Sequence, residues 1–157
     1  HIMEAASFIK GLNARPTRDQ TLPIASEGGF SIAQHFSIID NRLNRLFSLP
    51  VESELEHQAR SFVSEIESAW EKIKEEISTR NGSISKELDT DNRCISPSDF
   101  GFHHALLINN GDICFIDFEY AGWDDPAKMV GDFFLQPAVI VPLELILPDA
   151  VMLVAVT

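Results

Sequence analysis

Between Asp99 and Asp124 the chain gathers Asp99, His103, His104, Asp117, Glu119 and Asp124, side chains able to move a proton or hold a cation. They flank Asn109-Asn110-Gly111-Asp112, which lies between two apolar runs, Ala105 to Ile108 and Ile113 to Phe118. Asn and Gly accept the positive φ of a tight turn, so the pattern predicts a β-hairpin. Asp99 precedes the first run and Asp117 lies near the end of the second, so antiparallel pairing brings the two carboxylates together. Such a pair can divide labour, one acid accepting a proton from a hydroxyl nucleophile while the other holds a magnesium ion against nucleotide phosphates. Side chains of these types also serve as hydrogen-bonded surface groups. A metal hydrolase centre built from His103, His104, Asp99 and Asp117 is a weaker reading, because neighbouring residues on a strand point to opposite faces.

The elements that must position these residues are mostly helical. Ala5, Phe8, Ile9 and Leu12 share one face of a short helix over Glu4 to Leu12, followed by a polar loop from Asn13 to Gly29. From Ser31, Ile32, Phe36, Ile39, Leu43 and Leu46 recur at intervals of four and three, and Pro50 ends that stripe. A longer stripe runs through Leu55, Ala59, Phe62, Ile66, Trp70, Ile73 and Ile77 within a helix over Glu52 to Thr79. The short connection predicts antiparallel neighbours packed along both stripes. Pro126 opens a further helix with Met129, Val130, Phe133 and Phe134 on its apolar face. The very apolar end, Ala138 to Thr157, is interrupted by Pro142, Glu144, Pro148 and Asp149, so it reads as a core helix or strand and not a bilayer span. The expected class is α+β, mostly α.

Twelve Lys plus Arg against twenty-four Asp plus Glu leave a formal charge of −12 in 157 residues. That field repels phosphate backbones and anionic headgroups, which excludes general nucleic-acid or membrane-surface binding and suits a small cationic ligand. Cys94 and Cys114 are too few for a disulfide framework and favour a reducing, cytoplasmic setting. His1-Ile2-Met3 reads as a cloning remnant, leaving residues 4–157 as one lobe.

The strings SPSDFGFHHAL, Ser96 to Leu106, and CFIDFEYAGWDDPAK, Cys114 to Lys128, resemble the catalytic and metal-binding motifs of the aminoglycoside phosphotransferase and choline kinase superfamily. The resemblance implies the helical carboxy-terminal lobe of a protein-kinase-like fold, a short hairpin carrying both motifs, and Mg2+ and ATP as cofactors. It places Asp99 as catalytic base and Asp117 as metal ligand, with His104 and Glu119 also beside the metal. Glu119, Tyr120, Trp123 and Asp124 then face a small hydroxylated substrate, such as an aminoglycoside or a choline-like cation.

Three positions depart from the family pattern: His104 stands where an asparagine ligand is usual, Pro97 replaces a histidine, and Met129 replaces an aspartate that ties helix to loop. Asp132 follows three residues later. The resemblance also implies an amino-terminal ATP-binding lobe that this sequence does not contain, so the chain alone is expected to be inactive, and its apolar end is a candidate for self-association. The alternative is a non-catalytic binding or scaffold module of the same shape.

Overall fold

The computed structural model describes residues 1–14, 21–109 and 111–145. Among the described residues it has four α-helices and two two-stranded antiparallel sheets, an α+β arrangement. The chain divides into two units, one from His1–Phe30 with Leu88–Thr157 and one from Ser31–Glu87.

The second unit is a helical hairpin. Helix α2 (Ile32–Ser48) starts where the Ser31 hydroxyl accepts the Gln34 N–H, and it stops two residues before Pro50. Helix α3 (Glu54–Arg80) starts in a capping box in which Ser53 and Glu56 each satisfy the other's backbone N–H. Phe36, Leu43 and Trp70 form the core, with Ile32, Ile39, Val63, Ile77 and Ile84 packed around it. The Trp70 ring meets Phe36 edge-on at 5.3 Å. Asp40 accepts hydrogen bonds from Trp70 Nε1 at 2.8 Å and Lys74 Nζ at 3.0 Å, and these hold its carboxyl below the ordinary range. The expectation that the whole α3 stripe packs inward is corrected here. Trp70 and Ile77 pack inward, whereas Leu55, Phe62, Ile66 and Ile73 are exposed. The reason is geometric: Val63, Trp70 and Ile77 recur every seventh residue and make one narrow seam, and a single partner helix covers one such seam.

The first unit holds every residue singled out above for chemistry. Helix α1 (Ile2–Asn13) begins earlier than expected, taking in Ile2 and Met3, and Ile2 packs against the core. Strand β1 (Cys94–Ser96) pairs antiparallel with β4 (Gly122–Asp124), while β2 (Ala105–Leu107) pairs with β3 (Ile113–Phe115) as the anticipated hairpin. Helix α4 (Pro126–Leu135) starts with Pro126 after Asp125, whose carboxylate accepts the Ala127 N–H at 2.8 Å.

Ala5, Ile9, Cys94, Phe100, Phe115, Met129, Phe133, Phe134 and Val141 form its core. Phe100 stacks on Phe133 at 5.0 Å and meets Phe115 at 5.1 Å, which pins the segment around Asp99 to both the hairpin and α4. Met129, where the resemblance implies an aspartate, is 1% exposed in this core. Asn13, the last residue of α1, behaves as a strand neighbour: its Oδ1 accepts the Ile95 N–H at 2.7 Å and its Nδ2 donates to the Ile95 carbonyl at 3.0 Å. At Gly122 a Cβ would collide with the Pro23 carbonyl and the backbone of Ile24 and Ala25, so only glycine lets that segment cross β4. The crossing is recorded by a parallel bridge between Ile24 and Trp123 inside the stretch read as loop.

Of the apolar carboxyl-terminal segment, 138–145 forms no core helix or strand. Val141 alone there joins the core, and Leu143–Leu145 makes one 3-10 turn. Residues 146–157 of that reading lie outside the described residues. Among the described residues no helix is long and apolar enough to cross a membrane.

The two thiols differ in a way that can be measured. Burial, with the charges of Asp124 and Asp125, pushes the Cys94 thiol up to about 12, while Cys114 is exposed. One thiol per chain, Cys114, is expected to react with a disulfide reagent near neutral pH, and Cys94 only after denaturant is added. Two fast-reacting thiols in the folded protein would contradict the packing of β1.

Candidate active site

The segment that follows β1, as far as Phe100, is buried except at one residue. Ser96, Pro97 and Ser98 are buried, Asp99 is exposed, and Phe100 is buried again. Ser98 has a positive φ of 78°, an uncommon conformation for a residue with a Cβ. Its surroundings hold it there. Its N–H donates to Ser96 Oγ at 3.0 Å, its hydroxyl to the Ser26 carbonyl at 2.7 Å, and its carbonyl accepts from Lys128 Nζ at 3.3 Å. Asp99 is thus delivered to the surface by an anchored backbone.

The hairpin delivers Asp117. The ladder continues one step past the strands, with the Ile116 N–H donating to the His104 carbonyl at 2.9 Å, so Asp117 emerges beside His104. Asp117 also has a positive φ, 68°. Non-glycine residues in this region cluster at functional sites, where the surrounding structure over-determines them.

His104 links the two acids. Its Nδ1 lies 3.1 Å from the Asp99 carbonyl, and its Nε2 lies 3.3 Å from Asp117 Oδ2. His103 Nε2 lies 3.2 Å from Asp99 Oδ2, and its Nδ1 is buried without a partner. The two imidazoles are 3.9 Å apart between centroids. The strand argument against their cooperation is therefore corrected: both belong to a 3-10 turn, Phe102–His104, that ends where β2 begins. A 3-10 turn places neighbours about 120° apart, where a strand places them about 180° apart. Asp99, His103 and His104 each present a ligand atom within 4.8 Å of the others'.

The remaining candidates separate. Glu119 and Tyr120 are exposed, and the Glu119 carboxylate, by accepting the Tyr120 hydroxyl, raises that phenol above its usual range. Trp123 is half-buried in β4, with its backbone held by Pro23 and Ala25. Asp124 is not brought to the surface with the others. It is 0% exposed, and its carboxylate accepts from the Asp125 N–H at 2.9 Å and from Lys128 Nζ at 3.2 Å. Burial raises the Asp124 carboxyl above the ordinary range.

What the motif reading missed is the row that fixes the loop. Asp124 ends β4, Lys128 and Asp132 share one face of α4 and Gln136 follows that helix, all at intervals of four. The Lys128 ammonium spends its three donors on Asp124, Asp132 at 2.6 Å, and the Ser98 carbonyl. Burial opposes its charge, but the Asp132 hydrogen bond and the charges of Asp132 and Asp124 outweigh this and hold its pKa above the ordinary lysine value. Gln136 Oε1 accepts the Ala138 N–H at 3.2 Å, which turns its amide nitrogen toward Asp99 Oδ1 at 3.1 Å. Lys128 and Gln136 thus form the tie between helix and loop. Their spacing was readable, but regular intervals of four on a helix do not reveal what lies opposite.

An exposed carboxylate on an anchored loop, beside a second carboxylate and two imidazoles, can accept a proton from a bound hydroxyl and hold a divalent cation. No family model matches the chain, and no curated protein or solved structure matches it either.

Proposed function

We propose that this chain carries the hydroxyl-activating and metal-holding half of an ATP-dependent phosphotransferase site acting on a small, cationic, hydroxylated molecule, in the manner of the aminoglycoside phosphotransferase and choline kinase superfamily. The observation that carries this reading is the linkage of Asp99 to Asp117 through His104. Asp99 is the proton acceptor. It is exposed, and with Gln136 on Oδ1 and His103 beside Oδ2 it retains lone pairs for a substrate hydroxyl. Asp117, assisted by His104, is the position for the divalent cation, Mg2+ by the resemblance. One carboxylate suits an ion that keeps several waters and takes its other ligands from nucleotide phosphates. When bound, such an ion neutralises charge on the transferring phosphoryl group.

Glu119, exposed beside Tyr120, is the group placed to attract a cationic substrate. A reducing, cytoplasmic setting accords with two free thiols, one of them buried. The kinase-like lobe assignment belongs to this proposal and is supported by the order of the motifs around the hairpin.

The test is made on the protein as its own cell produces it. Asp117→Asn is expected to reduce divalent-ion-dependent phosphoryl transfer from ATP by about 10²–10³-fold, the usual cost of removing one electrostatic stabiliser of a transition state. Unchanged transfer would remove Asp117 from the site. A second reading, a non-catalytic binding module, is favoured by one observation: His104 stands where an oxygen ligand for magnesium is expected. Folded protein that binds a cationic ligand but transfers no phosphoryl group would establish it.

A further inference from the structure

We propose that Asp99, His103 and His104, with Asp117 at their edge, bind one d-block divalent cation of the Mn2+ or Zn2+ class in preference to Mg2+. The inference deepens the phosphotransferase reading, on which its role in turnover rests, but the binding itself stands on geometry alone.

A carbonyl oxygen can only accept, so the contact between His104 Nδ1 and the Asp99 carbonyl, at 3.1 Å, places the proton on Nδ1. In the neutral ring Nε2 then presents a lone pair, and it faces Asp117 Oδ2 at 3.3 Å. His103 reaches a similar tautomer by a different route. Gln136 turns its NH₂ toward His103 Nε2 at 3.2 Å, because its Oε1 accepts the Ala138 N–H. A donated amide hydrogen needs a lone pair on that Nε2, which also lies 3.2 Å from Asp99 Oδ2. The other nitrogen of His103 is buried without a partner in either tautomer.

Each imidazole thus has Nε2 close to a carboxylate oxygen, with the lone pair of His104 open and that of His103 taken by the Gln136 amide. A cation lying among them takes the His104 lone pair directly and displaces the Gln136 amide hydrogen from His103, so that both contacts become ligand bonds. The N···O separations of 3.2 and 3.3 Å match the edge of a tetrahedron whose ligands lie about 2.0–2.1 Å from a central ion. The Asp99, His103 and His104 ligand atoms span no more than 4.8 Å. A backbone carbonyl holding the far nitrogen of a ligating histidine is also the common outer support of such sites.

Donor chemistry selects the ion. Imidazole suits zinc, iron and neighbouring d-block ions, with manganese tolerant of mixed oxygen and nitrogen donors, whereas magnesium demands oxygen and gives up its waters reluctantly. Gly101 supports the turn: a Cβ there would lie 2.7 Å from His103 Nδ1, so the ring sits directly against that backbone.

The experiment is titration of the full chain with Zn2+, Mn2+ and Mg2+ separately, followed by calorimetry and by metal analysis after dialysis. One Zn2+ or Mn2+ per chain is expected, with Mg2+ at least about 100-fold weaker. His103→Asn and His104→Asn are each expected to weaken Zn2+ binding at least about tenfold, with circular dichroism unchanged. The controls His35→Asn, His57→Asn and Cys114→Ser are expected to leave it unaltered. Co2+ bound to the wild type, but not to the double His103→Asn, His104→Asn variant, should show the visible absorption of a nitrogen-ligated site.

Absence of stoichiometric binding, Mg2+ binding as tight as Zn2+, or Zn2+ binding that survives loss of both histidines would each overturn the proposal. Asp99 would give the cation Oδ2 and keep a lone pair of Oδ1 for the hydroxyl, so these outcomes leave its proton-acceptor test untouched. Absence of phosphoryl transfer in the protein as its own cell makes it, with Zn2+ binding intact, would instead count against the phosphotransferase reading alone.

Discussion

Replacing Lys128 by methionine is expected to destabilise the unit that carries the site by about 3–5 kcal/mol, the usual cost of removing one partner from a buried ionic cluster. Lys128 is 17% exposed at its side chain, and it lies between Asp124, at 0%, and Asp132, at 29%. Methionine fills much of the same volume but leaves two carboxylates and the Ser98 carbonyl without their donor. Urea unfolding monitored by near-ultraviolet circular dichroism measures the change, with exposed Lys72→Met as a control expected to stay within about 0.5 kcal/mol. A Lys128→Met protein as stable as the control would mean that the cluster does not hold the loop.

The pH dependence follows from the same cluster. A raised lysine pKa contributes stability that is complete below the ordinary lysine value and is lost as pH rises through the raised one. Wild type is therefore expected to lose stability in the alkaline range, while Lys128→Met lacks that step. Asp124 and Asp132 are both raised, by burial first of all. In the window between the ordinary carboxylate value and the raised ones the folded state binds more protons, so their contribution falls as pH climbs.

The second large effect is chemical. Asp99→Asn is expected to lower kcat for phosphoryl transfer by about 10²–10⁴-fold, the range a positioned general base supplies, with KM for ATP little changed. The substitution keeps the shape of the side chain and an oxygen for Gln136, so the fold is expected to be unaffected. Equal loss in kcat and in ATP binding would assign Asp99 to the nucleotide and not to the hydroxyl. Retained kcat would remove it from catalysis.

How much of this was legible in the sequence depended on whether the signal was local. The hairpin was legible because Asn109-Asn110-Gly111-Asp112 carries its turn chemistry within four residues. The starts of α2 and α4 were legible because Ser31 and Asp125-Pro126 are caps whose function is also local. Three features were not legible, and each depends on a distant partner. The α3 stripe looked uniform, yet one helix of 17 residues faces it and covers only the Val63, Trp70 and Ile77 seam. The crossing of 23–25 over Gly122 joins segments almost a hundred residues apart, and its only sequence trace is a glycine. The cooperation of His103 with His104 depends on a 3-10 turn that periodicity cannot distinguish from the start of a strand.

Within the candidate site, Asp99, His104 and Asp117 come together because antiparallel pairing of a short hairpin leaves little freedom at its open end. Asp124 was placed with them by adjacency in the motif. Burial in β4 instead makes it an anchor for Lys128, and residue type alone does not separate an acid facing a ligand from an acid facing a lysine.

The most direct test of the central claim is to follow the γ-phosphoryl group of labelled ATP in the protein as its own cell makes it. The acceptors are a panel of amino alcohols and aminoglycosides, with wild type and Asp99→Asn compared side by side. Label is expected on an acceptor hydroxyl, dependent on a divalent cation and lost in Asp99→Asn. Folded, ion-binding protein that labels no acceptor, or an Asp99→Asn protein that labels one at the wild-type rate, would contradict it.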